Sequence, residues 1–419
     1  MNEIRLLKAD DDFIRFADIA TNAYTAISPY TEEAKLHLKQ LLQKKQENDD
    51  TLDFYGLFEN EKLIAGMRTH TYEMNLHQTM IQVGGVGQVA VDLLHKKEHA
   101  AKALIEYFLT LFRSKNISLV ALYPFRPDFY KKMGFGYGSN IYQYSLQPAS
   151  FAKGPTKQHL GFASIANEVK IKACYNRYVQ KKHGMFYKTD SEWQVFFKQR
   201  ELRLVAFEKD NDILGYIAFS FRKCHDTNFL LNDLVIKEFI FETPEALLEL
   251  STFLNSQADQ VHRIEWNTHD ENIRFFTSDA RNGASHLIPS VYHPSSTAGI
   301  GLMYRIINIE QFIQQLQPKT MNTLSIVWQL TVLDSFFEEN NIQLTLQTKN
   351  GFLEIIDSST PIDVSLTIDI AELSSLFMGV ISLKELYMYS KVQISNCTYM
   401  QMLNDLFISF EKPVCTTAF

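Results

Sequence analysis

The stretch that decides the fold is residues 84–123, which read GGVGQVAVDLLHKKEHAAKALIEYFLTLFRSKNISLVALY. The glycine-flanked run that ends at Val91 predicts a β-strand. Between Lys96 and Lys115, apolar residues recur at the three- and four-residue spacing of one helix face. The apolar run Ile117–Tyr123 predicts a fully buried strand. A strand, a helix and a second strand in this order predict an α/β layer domain.

The rest of the chain predicts further domains. The chain has 419 residues, and single hydrophobic cores rarely grow beyond about 250–300 residues. A hairpin that carries Phe58-Glu59 and Gly66 is matched by one that carries Phe207-Glu208 and Gly215, with the same interval between the paired positions. This weak repeat predicts a duplicated domain, although a hairpin rhythm shared by chance explains it equally well.

A third domain is predicted near the C-terminal end of the sequence. The segment Ser290–Gly301 is rich in Ser, Pro and Gly, which is typical of a domain boundary. Beyond it the pattern predicts a helix, alternating strands and closing helices, which is an α+β layout. We therefore predict three domains, over residues 1–150, 151–297 and 298–419.

Composition and charge argue against several classes of protein. The formal net charge is −7 and the isoelectric point is near 6.0, whereas electrostatic nucleic-acid binders carry basic patches. The sequence shows no signal peptide, and no apolar run approaches the roughly 18–20 residues that span a bilayer. The cysteines form no CxxC pair, and Lys96 and Lys97 separate the one close histidine pair, His95 and His99. We expect a cytoplasmic protein without nucleic acid, membrane or metal.

The loop between the predicted strand and helix suggests a phosphate site. The first turn of a helix has unpaired N–H groups and a positive dipole end, which attract anions. Lys96 and Lys97 lie at this end, where each cation is unfavourable by roughly 0.3–1 kcal/mol unless an anion compensates it. The pair therefore indicates a ligand that carries phosphate, although lysines that point into solvent explain the same pattern.

Two residues far apart in the sequence suggest proton transfer. Tyr130 precedes the turn Lys131–Phe135, which reads KKMGF, and Phe419 is the last residue of the sequence. An apolar last side chain gives an α-carboxylate a reason to be buried. A buried carboxylate and a phenol are a suitable base and acid for moving an acyl group onto an amine. Each feature is weak alone, and together they indicate an acyltransferase.

These residues resemble the GNAT family of acetyl-CoA-dependent N-acetyltransferases. The resemblance is carried by Val89–Val91, by the loop that leads through Lys96 to Ala100, and by the motif Phe129–Phe135. The three-part division and the final Phe419 are similar to the Eis branch of that family. The resemblance implies a mixed α/β and α+β fold, with two tandem GNAT-like domains followed by a domain of sterol-carrier-protein fold. The second GNAT-like domain would lack the cofactor motif.

The resemblance also implies site residues and partners. The residues implied to bind acetyl-CoA are Val89, Ala90, Val91, Lys96, Lys97, His99, Ala100 and Ala101. Tyr130 would be the general acid that protonates the CoA thiolate, and the α-carboxylate of Phe419 would be the general base. The acceptor would be an amine-rich small molecule similar to an aminoglycoside or a polyamine, with Tyr24 in its pocket. The resemblance implies no metal. It implies a homo-oligomer, of which a hexamer is one form.

One position departs from the family pattern and leaves other functions open. The central glycine of the pattern, which lets N–H groups approach a pyrophosphate closely, is His99, and the leading arginine is Lys96. A side chain there would crowd the phosphates, which leaves open a non-catalytic protein that binds an apolar ligand or a partner through its third domain. A histidine that donates to phosphate and a solvent-exposed histidine also remain open. An aminoacyl-transferring double-GNAT enzyme would need a long helical arm, which the sequence does not predict.

Overall fold

The computed structural model describes residues 2–25, 30–228, 231–289, 291–316, 325–349, 352–408 and 411–417. Within these residues three β-sheets organise the chain, two of seven strands and one of five. Helices pack on the sheets, so the mixed α/β and α+β fold class is confirmed.

The first part of the chain forms a mixed sheet with helices on both faces. In chain order its elements are β1 (Asn2–Leu6), α1 (Asp10–Ala23), α2 (Glu32–Asn48), β2 (Leu52–Glu59), β3 (Lys62–Leu76), β4 (Thr79–Val91), α3 (Ala100–Ser114), β5 (Leu119–Leu122), α4 (Pro127–Lys131) and β6 (Gly136–Tyr137). Strands β1 to β4 are antiparallel neighbours, and β5 joins β4 in parallel. Helix α3 buries Leu104, Phe108 and Phe112 on one face of this sheet, whereas α1 buries Phe16 on the other.

The second part repeats the plan of a sheet with flanking helices. Its elements are β7 (Asn140–Leu146), β8 (Leu160–Ala163), α5 (Glu168–Lys181), α6 (Asp190–Lys198), β9 (Arg203–Lys209), β10 (Asp212–Lys223), β11 (Asn232–Phe241), α7 (Pro244–Asn255), β12 (Val261–Thr268) and β13 (Ser296–Ile300). The strand order is β13-β7-β12-β11-β10-β9-β8. The repeated hairpins noted in the sequence are β2–β3 and β9–β10.

The third part forms a smaller sheet. Its elements are β14 (Met303–Ile306), α8 (Ile309–Gln315), β15 (Ile326–Leu333), β16 (Ile342–Lys349), β17 (Phe352–Ile356), β18 (Val364–Asp369), α9 (Ile370–Phe377), α10 (Leu383–Met388), β19 (Val392–Ile394) and α11 (Met400–Ile408). The sheet order is β17-β16-β15-β18-β19. Trp328 is fully buried at its centre, where the indole N–H donates to Thr348 Oγ1 at 3.2 Å. One core joins this sheet to Tyr72 and Val83 of the first part.

Two strands cross between the parts of the chain. Strand β14 lies in the first sheet, paired with β5 and β6. Strand β7, which follows β6 directly in sequence, lies in the second sheet, paired with β12 and β13. The predicted domain bounds stay a prediction. By those bounds β7 belongs to the first domain but lies in the second sheet, and β14 belongs to the third domain but lies in the first sheet.

The separation of β4 from β5 determines where a ligand can enter. The two strands pair only from Val83 to Gly85 on β4, and β4 continues to Val91 along β3 alone. The sheet therefore opens beside the last residues of β4. No helix of the described residues combines the length and the apolar character that crossing a bilayer requires.

Candidate active site

A cavity of about 750 Å³ lies where β4 leads into α3. The predicted site residues that line it are Tyr24, Val89, Val91, Lys96, Lys97, His99, Ala100 and Ala101. Ala90 does not line it, because alternate residues of a strand face opposite sides of the sheet. Its side chain is buried with the core of α1, and the prediction that Ala90 binds acetyl-CoA stays a prediction.

The end of β4 presents its backbone to this cavity. Gln88 has a φ of 50°, and the register between β3 and β4 shifts at this point. Such a bulge bends a strand and re-aims its side chains. The hydroxyl of Tyr24 donates to the main-chain oxygen of Val89 at 3.0 Å. Tyr24 therefore links the end of α1 to the cavity wall.

The loop before α3 has a backbone conformation that suits an anion. Lys97 and His99 have φ of 69° and 64°, in the left-handed region that few residues other than glycine adopt. Turns of this kind can direct successive N–H groups to one side and form an anion-binding concavity. His99 therefore takes a left-handed conformation at the position where the family pattern has glycine.

Positive charge surrounds this loop. Lys96, Lys97, Lys102 and Lys132 all line the cavity. The predicted start of the helix at Lys96 is wrong, since α3 begins at Ala100. Both lysines of the loop thus precede the helix and lie beside its N-terminus, where an anion could interact with them and with the helix dipole together.

Tyr130 lies on α4, next to two residues of the cavity wall, Phe129 and Met133. Its ring packs edge-on against Phe129 and Phe135, with centroids 5.2 Å and 5.9 Å away. Only 7% of Tyr130 is exposed. Burial raises the pKa of Tyr130 above its usual range, and nearby Tyr24 adds to the effect. The phenol therefore keeps its proton at neutral pH.

The turn after Tyr130 is held by residues that the sequence analysis missed. Arg305 on β14 donates through Nη1 to the main-chain oxygen of Met133, and through Nη2 to Asp334 at 2.6 Å. Both side chains of this ion pair are buried. Asp334 also accepts the N–H of Phe336 at 3.1 Å, and Phe336 lines the cavity. No local sequence signal connects these residues, because the third part of the chain supplies them.

The C-terminal segment, residues 411–417, runs between the first two parts of the chain. It donates a main-chain N–H to the oxygen of His183 at 2.8 Å. The hydroxyl of Tyr123 donates to Cys415 Sγ at 3.6 Å. Cys415 is 4% exposed, and burial raises its pKa to about 11. The predicted base, Phe419, lies outside the described residues.

A row of polar side chains on β3 was also missed. Arg68, His70 and Tyr72 alternate along the strand and so share one face. The rings of His70 and Tyr72 stack with centroids 4.8 Å apart and planes 12° from parallel. Burial, with the charge of Arg68 as a second cause, lowers the pKa of His70 to about 3. Glu192 on α6 acts electrostatically on Arg68 and Tyr72, so the row faces the second part of the chain.

Comparison with known families identifies the fold of each part. Residues 3–138 match the family described as acetyltransferase (GNAT) domain, and residues 184–306 match another family with the same description. Residues 309–416 match the sterol carrier protein domain. The chain is a GNAT acetyltransferase of Eis-like domain order. GNAT acetyltransferases use acetyl-CoA as co-substrate.

Several solved structures share the whole architecture of this GNAT protein. A GCN5-related N-acetyltransferase from Anabaena variabilis has a TM-score of 0.80 at 18% identity. A probable N-acyltransferase from Enterococcus faecalis has a TM-score of 0.77 at 18% identity, and Eis1 from Mycobacterium abscessus has 0.77 at 17%. Each comparison covers 100% of both chains. No match was found among curated proteins.

Among the residues that the structure describes, two groups of potential metal-ligating side chains lie elsewhere in the GNAT chain. Cys224, Asp233 and His262 form one group, and His159, Glu245 and Glu249 form the other. A protein cation already pairs with a carboxylate in each. Arg222 lies 3.0 Å from Asp233, and Lys209 lies 2.7 Å from Glu245. The prediction of a protein without a metal stays a prediction.

Proposed function

We propose that this protein transfers the acetyl group of acetyl-CoA directly to a primary amine of a small molecule. The observation that carries the proposal is the cavity at the junction of β4 and α3. There Val89, Val91 and the loop before Ala100 line one continuous space of about 750 Å³. Ligand pockets for molecules of moderate size have volumes of about 300–1,000 Å³.

The chain's residues fit the two ends of acetyl-CoA. Strand β4 has no pairing with β5 beyond Gly85 among the described strands, so its edge can accept the amide-bearing pantetheine arm as a sheet accepts an added strand. The left-handed loop at Lys97 and His99, with its flanking lysines, can hold the phosphates. When bound, acetyl-CoA supplies an activated thioester carbonyl.

Tyr130 is the proposed general acid. It is buried beside the cavity wall, and its raised pKa keeps it protonated. Loss of the amine's proton and gain of a proton by the departing thiolate must both occur during transfer. A positioned phenol can serve the second step, while alignment of amine and thioester contributes most of the acceleration.

The α-carboxylate of Phe419 remains the proposed general base, although Phe419 lies outside the described residues. The support for it is the course of the segment before it. Thr417 is 3% exposed, and Cys415 contacts Tyr123 of the first part, so the segment is directed into the protein interior. The implied homo-oligomer likewise stays a prediction.

The polar face of β3 at Arg68 and His70 is the proposed acceptor site. Tyr24 connects it to the cavity, since this residue lines the cavity and is acted on electrostatically by Arg68. An amine-rich acceptor, similar to an aminoglycoside or a polyamine, stays a prediction from the family resemblance.

A thiol-release assay tests the proposal. Purified protein would be incubated with acetyl-CoA and each member of a panel of amines, and free CoA would be measured over time. We expect release that depends on both enzyme and amine, with acetylated amine detected by mass spectrometry. An absence of amine-dependent release across the panel, together with no thermal stabilisation by acetyl-CoA, would contradict the proposal.

A further inference from the structure

Arg68 is a cation without a counter-ion in the part of the chain that the structure describes. Its Nε atom is fully buried and has no hydrogen-bond partner there. Its guanidinium forms no ion pair with any described carboxylate, and burial lowers its pKa. A buried charge without a partner is strongly unfavourable. A bound anion can supply the missing charge.

His70 provides a second, independent observation at the same place. It is 6% exposed, and neither ring nitrogen has a hydrogen-bond partner among the described residues. Buried polar groups in folded proteins are nearly always hydrogen-bonded. Two adjacent side chains therefore present unused hydrogen-bonding groups on the same face of β3.

The carboxylates near Arg68 and His70, Asp49 and Glu192, are committed to other groups. Asp49 accepts hydrogen bonds from the hydroxyls of Thr51 at 2.6 Å and Thr189 at 3.1 Å. Glu192 accepts the main-chain N–H of Thr189 at 2.8 Å. Burial also raises the pKa of Glu192, which favours its neutral form. Lys45, on α2, adds a further positive charge that acts on His70.

The unpaired guanidinium lies close to the proposed site of transfer. Arg68 is opposite Gly87 in the register of β3 and β4, two residues before Val89 of the cavity wall. Tyr24, whose hydroxyl donates a hydrogen bond to the main-chain oxygen of Val89, is also acted on electrostatically by Arg68. A small molecule with its amine at the cavity could therefore extend along β3 to Arg68.

We propose that the acceptor amine also carries an anionic group, a carboxylate or a phosphate, and that Arg68 binds this group. The inference rests on the proposed acetyl transfer and refines its substrate class. The planar guanidinium donates two parallel hydrogen bonds to either oxyanion, which a lysine cannot do. His70 stands beside it and can add a further hydrogen bond.

Matched pairs of amines test this inference. Lysine would be compared with lysine amide, and phosphoethanolamine with ethanolamine, so that each pair differs only in the anionic group. For each amine, kcat/KM would be measured by thiol release with the native protein, Arg68→Met, Arg68→Lys and the exposed-site control Arg200→Met. We expect the native protein to favour at least one anionic member. In Arg68→Met that preference should fall about 10- to 100-fold, the loss that follows from removing a charged hydrogen bond, and Arg68→Lys should retain part of it.

The outcomes separate the inference from the proposed function. Acetylation of amines with no preference for an anionic member overturns the inference and leaves acetyl transfer intact. An equal loss for every amine in Arg68→Met, with unchanged acetyl-CoA affinity, also overturns it, because Arg68 would then serve a partner within the chain. No acetylation of any amine overturns both. The melting temperature of each variant distinguishes loss of binding from loss of folding, and unfolding of both Arg68 variants would again indicate an internal partner.

Discussion

The buried guanidinium of Arg305 donates to the main-chain oxygen of Met133, three residues after Tyr130. The same side chain is paired with Asp334. One arginine thus joins the strand that completes the first sheet, the turn that carries the proposed acid, and the segment that brings Phe336 into the cavity wall. The third part of the chain is therefore a structural component of the cavity.

The turn at Gly134 should not accept a side chain. Gly134 has a φ of 77°, and a Cβ atom there would lie 1.4 Å from Arg305 Nη1. Left-handed backbone alone costs other residues about 1–2 kcal/mol, and the overlap with a buried arginine adds to it. We expect Gly134→Ala to lower the free energy of unfolding by about 3 kcal/mol. Denaturant unfolding would measure it, with Gly161→Ala as the control because no atom lies within 4 Å of a Cβ at that site.

Removal of the Tyr130 hydroxyl should slow transfer without weakening acetyl-CoA binding. We expect Tyr130→Phe to lower kcat about 100-fold, a typical contribution of general acid catalysis. Because burial raises the pKa of Tyr130, kcat of the native protein should not fall through loss of this proton until the pH exceeds the usual range of tyrosine. Steady-state kinetics and calorimetry would separate the two effects. Tyr107→Phe on α3 is the control, and equal losses in both variants would contradict the role of Tyr130.

Phe336 should contribute to acetyl-CoA binding from the third domain. Its ring lines the cavity, and truncation would remove apolar contact with the ligand. We expect Phe336→Ala to raise KM for acetyl-CoA about tenfold, which corresponds to a loss of about 1.4 kcal/mol. Phe352→Ala removes a ring that is 53% exposed and should leave KM unchanged. A similar KM for all three proteins would show that Phe336 does not contact the cofactor.

Acid should destabilise the protein through a buried histidine pair. The rings of His77 and His183 stack with centroids 3.7 Å apart, and burial lowers the pKa of His77 to about 4 and that of His183 well below its usual value. The unfolded chain, with histidine pKa values near 6.5, therefore binds more protons than the folded protein between about pH 6.5 and 4. The free energy of unfolding should fall as pH drops through that window.

Urea unfolding at several pH values would measure this effect. The free energy of unfolding should depend less steeply on pH in His77→Asn, because one of the two titrating histidines is removed. Asparagine is chosen because it tolerates the left-handed backbone found at this position (φ 47°). His286→Gln, on an exposed loop, should keep the native slope. An unchanged slope in His77→Asn would contradict the assignment.

Much of the fold follows from local patterns. The spacing of Leu104 and Phe108 predicts α3, and the apolar run to Leu122 predicts β5. The exchange of β7 and β14 between sheets could not be predicted, because strand pairing over such a separation leaves no local signal. The start of α3 was predicted too early, at Lys96, for a local reason. Lys97 and His99 can both occur in helices, so nothing in the sequence indicates that their left-handed backbone keeps them out of α3.

The candidate site was predictable where a motif carries it. Val89, Val91 and Lys96 were implied by the resemblance to the GNAT family, and they share one cavity. Polar residues at alternate strand positions, such as Arg68 and His70, ordinarily indicate a solvent-facing side. The packing of the second domain against β3 buries them, and this contact is not visible in the sequence.

A calorimetric titration of acetyl-CoA tests the central claim most directly. The claim is that the cavity beside β4 and α3 binds acetyl-CoA through Lys96, Lys97 and the adjacent loop. We predict one site per chain with micromolar affinity in the native protein. Binding should be lost in the Lys96→Glu/Lys97→Glu double variant and retained in Lys349→Glu, an exposed site on β16. Absence of binding by the native protein, or equal affinity in all three proteins, would contradict the claim.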